Sequence, residues 1–249
     1  MITIKNKEQI AKMRDAGKIV AEVLALMEEH VEPGISTWEL DEIAENYIRK
    51  SNAYPTFKTY GGFPASLSAS INEEVVHGIP NRDRILTEGD IVSIDVGATF
   101  RGYVGDAART FPVGKISDEN ARLIEVTKQS FFEGLAQAKK GNRLGDISNA
   151  IQRYVERHGY SVIRDLVGHG VGENMHEDPC VPNYGKKGRG IRLSAGLTIA
   201  VEPMVAAGHY ALRQLADNWT YVTKDGSMAA HYENTFAITD EEPEILTRL

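Results

Sequence analysis

Residues 86–95, Leu86-Thr-Glu-Gly89-Asp-Ile-Val-Ser-Ile-Asp95, return 107 positions further on as Leu193-Ser-Ala-Gly196-Leu-Thr-Ile-Ala-Val-Glu202, so an acid closes the same apolar run twice. The same offset carries Gly34 onto Gly141. It also carries a helical stretch with Leu40, Ile43, Tyr47 and Ile48 on one face onto one with Ile147, Ala150, Tyr154 and Val155. A long period repeated once implies two related halves and not a solenoid of short units. Each half is expected to hold two helices, about 7–30 and 37–51, then about 118–140 and 144–158, followed by strands. Helices that precede strands in each half point to an α+β fold with helices covering one face of a sheet. No low-complexity linker separates the halves, approximately 1–115 and 116–249, so they read as one domain.

Within Ile91–Val96, the residues Val92, Ile94 and Val96 fall on one face at period two, and Ser93 and Asp95 on the other. In Thr198–Met204, Ile199 and Val201 face one way while Ala200 and Glu202 face the opposite way. Acidic side chains are almost never buried unless paired, so two acids at strand positions require a reason. A second strand, Tyr103 to Phe111, follows a turn around Phe100-Arg101-Gly102. A two-residue loop is read as setting Asp95 directly across from Asp106, with β-carbons roughly 4.5–5.5 Å apart, whereas a Gly-bulge loop would move that register by one. Glu233, in the strand-like stretch Ala229–Thr239, adds a fourth acid. Like charges so placed are relieved by a shared proton or by a cation, and one proton cannot relieve four carboxylates.

His169 sits in Gly168-His169-Gly170-Val171-Gly172, where glycine permits close backbone approach and unusual dihedrals. Asp95, Asp106, Glu202, Glu233 and a neutral His169 form a set of hard oxygen donors with one borderline nitrogen. That set suits a pair of divalent ions such as Co, Mn, Fe or Zn, two double charges against four single ones. Taken one at a time, each acid reads as a surface or salt-bridged group, with Arg109 a candidate partner for Asp106. His30 and His158 close helices, where imidazolium complements the dipole. His209 and His231 read as structural, although His231 lies two residues before Glu233. Cys180 reads as a buried small hydrophobe. His77, before the turn Gly78-Ile79-Pro80, and His176 read as loop histidines able to steer a peptide or stabilise an oxyanion.

The 249 residues are 42% hydrophobic and 25% charged, enough for a substantial core, with a formal charge of -7. The basic clusters Lys139-Lys140 and Lys186-Lys187-Gly188-Arg189 are too short for a nucleic-acid footprint. The polar segment Met1–Ile10 has no apolar signal region, no stretch approaches the roughly 20 apolar residues of a membrane span, and the single cysteine fits a reducing compartment. A cytoplasmic monomer without nucleic-acid or membrane partners is expected.

The run Ser70-Ile-Asn-Glu-Glu-Val-Val-His77-Gly-Ile-Pro80 resembles the hallmark of type I methionine aminopeptidases. So do Asp95-Val-Gly-Ala, Gly102-Tyr-Val-Gly-Asp106-Ala-Ala-Arg-Thr-Phe, Gly168-His169-Gly170-Val-Gly and Val201-Glu202-Pro203. The resemblance runs from about residue 4 to 240. It implies the pita-bread fold, two pseudo-symmetric halves with helices covering a curved antiparallel sheet. It further implies removal of the N-terminal methionine from nascent polypeptides, mainly when the second residue is small, with work close to the ribosome. By the same resemblance, Asp95 chelates one ion, His169 and Glu202 the other, and Asp106 and Glu233 bridge them. A water held between the ions attacks the first peptide carbonyl, with Glu202 as proton shuttle. His176 supports the tetrahedral intermediate and His77 contacts the scissile amide. Phe57, Tyr60, Phe63, Ser68, Met175 and Trp219 form the methionine pocket. Met175 stands where many relatives carry an aromatic residue, and His231 and Asn234 where Gln and His are common. The rivals are a proline-directed peptidase of the same fold and a non-catalytic binding protein built on it.

Overall fold

The computed structural model describes residues 2–249; Met1, the first residue of the polar N-terminal segment, lies outside them. Among the described residues four α-helices form: α1 (Lys7–His30), α2 (Thr37–Lys50), α3 (Asp118–Leu135) and α4 (Leu144–Arg157). α1 and α2 start at capping boxes, in which the Asn6 and Ser36 side chains accept from the N–H groups of Gln9 and Glu39, and the Asn6 and Ser36 N–H groups donate back to the Gln9 and Glu39 side chains. α3 stops short of the expected end near residue 140. Beyond Leu135 the N–H groups of Gln137 and Ala138 turn back to the Gly134 and Leu135 carbonyls, tighter turns that release the chain.

Every strand pair is antiparallel. In the first half the strand Ile91–Phe100 lies between Leu67–Ile71 and Tyr103–Pro112. In the second, Thr198–Val201 lies between Gly168–Gly170 and Asn234–Ala237, with Glu177–Val181 at the edge. The alternation read from the sequence decides what each face does. Val92, Ile94 and Val96 pack beneath Val20, Val23, Leu24, Leu40 and Ile48 of α1 and α2. Ile199 and Val201 pack beneath Leu123, Phe131, Ile147 and Ile151 of α3 and α4. The opposite parity, with Asp95 and Glu202, turns into a cleft.

The halves are pseudo-symmetric down to single hydrogen bonds. Gly34 N–H bonds to the Leu86 carbonyl as Gly141 N–H does to that of Leu193, and the bridge Ser36–Ile85 recurs as Arg143–Arg192. Residues of Tyr103–Pro112 join the halves. The Ala108 carbonyl accepts Glu233 N–H at 2.9 Å, the Asp106 carbonyl accepts the Thr235 hydroxyl at 2.9 Å, and Thr110 Oγ1 accepts His231 N–H at 2.8 Å.

The hairpin register and the setting of Cys180 also differ from expectation. The loop after Phe100 has two residues, but they are Arg101 and Gly102, with φ of 49° and 80°, one position later than read from the sequence. A tight hairpin turn with both central residues at positive φ favours glycine second, and that places the turn. Asp95 therefore faces Ala108, and Asp106 faces Gly97. The acids keep the same face but become diagonal neighbours, roughly 7–8 Å apart, which leaves space between them. Cys180 is exposed, not buried: on its strand Pro179 and Val181 take the inward parity and Cys180 the outward one. Among the described residues no helix is long and apolar enough to cross a membrane.

Candidate metal centre

Asp95 and Asp106 project from adjacent strands of the first half, and His169 from the short strand Gly168–Gly170. A Cβ on Gly168 would come within 2.4 Å of the Ala200 carbonyl oxygen, and one on Gly170 within 2.2 Å of that of Asp178. Close approach is thus what glycine supplies around His169; neither residue has a positive φ. Glu202 sits just past the end of its strand and Glu233 just before the start of Asn234–Ala237, not inside strands as expected. Pro203 has no N–H to continue the ladder after Glu202. Opposite it, the chain at Tyr232–Glu233 changes partner from Met204–Ala206 to Thr198–Val201.

The five side chains converge. His169 Nε2 is 3.5 Å from Glu202 Oε1 and 3.7 Å from Asp106 Oδ2. One ligand atom each from Asp106, His169 and Glu233 lies within 4.8 Å of the others. His169 Nδ1 lies 2.9 Å from the Gly170 carbonyl oxygen; donating there, the ring turns its Nε2 lone pair toward the acids. Arg109 does not pair with Asp106. It has the opposite parity, donating to the Ala108 and Glu233 carbonyls and to Asn234 Oδ1, with its guanidinium 4.2 Å from the Tyr232 ring centre.

Burial dominates the electrostatics. It raises the Asp95 carboxyl to about 7. Burial, then the charges of Asp95 and Glu202, holds Asp106 well above the carboxylate range. Glu202 is raised by burial and by Asp95. Glu233 is raised by burial and by Asp106, Glu202 and Asp95, with Arg109 opposing. Burial and His176 lower the His169 imidazole to about 4, which leaves it neutral. Asp95 and Glu202 touch the cleft and are only half-buried by area, yet protein surrounds them on every other side. Asp95 Oδ1, Asp106 Oδ1 and Glu233 Oε1 are buried with no hydrogen-bond partner among the described residues. Unpartnered buried oxygens on three of four mutually repelling acids, with a neutral imidazole beside them, match the donor set of divalent ions. The residues fit such ions.

The thirteen side chains that the sequence reading assigned to the ions, the substrate or the methionine pocket all line one cleft, which encloses about 820 Å³ including open solvent. One wall is aromatic: Phe63 meets Phe57 and Trp219 edge-on, with ring centres 6.5 and 5.1 Å away. Gly97 makes room for this wall, since a Cβ there would lie 2.9 Å from Phe57 Cε1. Ser68 and Met175 complete the lining beside it, and Tyr60 stands at the rim, where its hydroxyl is 2.7 Å from His176 Nδ1. His176 packs on His169 with ring centres 4.2 Å apart, and burial lowers its pKa. His77 is held at φ 61°, a strained conformation for a non-glycine residue, between the rings of Trp219 and Tyr221. Val76, Leu166, Val167 and Met204 also line the cleft and were not anticipated. Met204 was legible, being two residues past Glu202 and so of the same parity.

An acid cluster with an imidazole at the base of an apolar-walled cleft has the donor chemistry that a metal-dependent hydrolase requires. The chain belongs to metallopeptidase family M24, whose profile matches residues 11–240. Its relatives narrow that class. It is 60% identical over 247 residues to a methionine aminopeptidase of Clostridium acetobutylicum, 99% of each chain being covered. It is 53% identical over 249 residues to methionine aminopeptidase 1 of Bacillus subtilis, 100% of each being covered. A solved methionine aminopeptidase from Thermotoga maritima superposes with a TM-score of 0.99 at 45% identity over 100% of both chains.

Proposed function

We propose that this chain is a methionine aminopeptidase that removes the N-terminal methionine from nascent polypeptides, mainly when the second residue is small. It acts as a cytoplasmic monomer close to the ribosome, with residues 1–115 and 116–249 forming one catalytic domain. The observation that carries the reading is the placement of four crowded, mutually repelling carboxylates and a neutral imidazole beside an aromatic pocket.

Asp95 would hold one divalent ion, His169 and Glu202 a second, and Asp106 and Glu233 would be shared. Such a pair supplies a polarised carbonyl and a water that ionises near neutral pH. The chain's own groups do the rest. The wall of Phe57, Phe63 and Trp219, with Ser68, Tyr60 and Met175, receives the unbranched thioether and excludes water around it. Tyr60, donating to His176 Nδ1, leaves the imidazole proton on Nε2, free to donate to the scissile carbonyl oxygen as negative charge develops there. His77, kept neutral by burial and by His176, contacts the scissile amide. Glu202 accepts a proton at a carboxylate oxygen and returns it to the departing amine.

Assay of the peptides Met-Ala, Met-Leu and Ala-Pro after chelation, and again after adding back Co(II) or Mn(II), tests the proposal. Metal-dependent cleavage of Met-Ala ahead of Met-Leu is expected. Cleavage confined to bonds beside proline, or undiminished cleavage by the metal-free protein, would reject it.

A further inference from the structure

His231 is 1% exposed, and among the described residues neither of its ring nitrogens has a hydrogen-bond partner. A neutral imidazole carries one N–H and one lone pair, and leaving both unused in the interior is unfavourable. Its Nε2 lies 3.9 Å from Glu202 Oε2 and 3.8 Å from Glu233 Oε2, too far for hydrogen bonds. Donors that share one ion at about 2.0–2.2 Å stand roughly 3–4 Å from each other, and these separations fall in that range. His169 shows the same spacing to its own carboxylates, 3.5 and 3.7 Å. Glu202 stands between the two imidazoles, with Oε1 toward His169 and Oε2 toward His231.

The ring is placed by a firm main chain. Thr110 Oγ1 accepts His231 N–H at 2.8 Å and donates to the His231 carbonyl at 2.9 Å, and His231 pairs with Met204 across the ladder. One ligand atom each from Glu202, His231 and Glu233 lies within 4.8 Å of the others.

We propose that His231 is itself a ligand, its Nε2 joining Glu202 and Glu233 on an ion and giving the centre a second imidazole. The proposal rests on reading the acid cluster as a metal centre. Two nitrogen donors in place of one bias the centre toward Co, Zn or Fe and away from Mn.

Co(II) titration of metal-free wild type, His231→Gln and His231→Ala tests this. The readouts are the dissociation constant and the count of paramagnetically shifted, slowly exchanging imidazole N–H resonances. Two such resonances are expected in wild type and one in each variant, with Co(II) bound about tenfold or more weakly by the variants. The wild-type count decides even if a variant fails to fold. One resonance in Co(II)-loaded wild type, or His231→Gln with wild-type affinity and resonances, would overturn the assignment. Failure of wild type to take up Co(II) would instead overturn the metal centre beneath it.

Discussion

Replacing Asp95 by asparagine should stabilise the metal-free protein at pH 8 and leave it almost unchanged near pH 4. In the folded, metal-free chain burial raises the Asp95 carboxyl from 3.8 to about 7. The folded state therefore binds its proton more tightly than the unfolded state does. That contribution to stability is fully present below about pH 4 and is lost as pH rises through about 7. At about 1.4 kcal/mol per pH unit the whole effect is on the order of 4 kcal/mol, of which roughly 3 kcal/mol falls between pH 5 and 8. For a chain of this size that is about 10 °C in Tm. Asparagine cannot ionise, so Asp95→Asn escapes the loss. The assay is thermal melting of both proteins after chelation, from pH 5 to 8, read as the difference between them; Asp106, Glu202 and Glu233, which the Asp95 charge raises, are relieved of it in the variant and add to its gain at high pH. The variant should gain steadily on wild type as pH rises, and saturating Co(II) should reverse the order at pH 8. A difference independent of pH, or one of opposite sign, would refute the electrostatic reasoning.

Asp106→Ala should abolish metal uptake and peptidase activity without lowering the metal-free Tm at pH 8, because it removes one of the repelling acids; full activity in a metal-free mutant would exclude the mechanism. Trp219→Ala removes the edge contact with Phe63 and opens the methionine pocket. Loss of roughly 1.5–3 kcal/mol of apolar contact should lower kcat/KM for Met-Ala by about 10–100-fold at unchanged metal content. His176→Ala should lower kcat by about 10²–10³-fold, again with metal retained, in line with loss of one oxyanion donor. Loss of metal by that variant would move His176 from the substrate to the ions.

The α+β arrangement was legible because two periodicities alternate in each half, and because a helix pair and an acid-tipped strand recur at one offset. The five acid-cluster residues could be found because ionisable groups at apolar positions are conspicuous. What escaped depended on backbone detail that periodicity does not carry. The register of Asp95 and Asp106 turned on which two residues make the hairpin loop, and only the geometry of Arg101-Gly102 settles that. Arg109 looked like a partner for Asp106 on spacing, but strand parity sends it to the opposite face. The end of α3 depended on turns for which Gln137 and Ala138 carry no strong signal. His231 was set aside although its two-residue spacing from Glu233 placed both on one side, a parity signal strong enough to have raised it.

X-ray diffraction from crystals loaded with Co(II), collected at the cobalt absorption edge, would address the acid cluster most directly. Two anomalous peaks roughly 3.5–4 Å apart, enclosed by Asp95, Asp106, His169, Glu202 and Glu233, are the expected result. Carboxylates crowded together with no anomalous peak among them, held by shared protons, would contradict it.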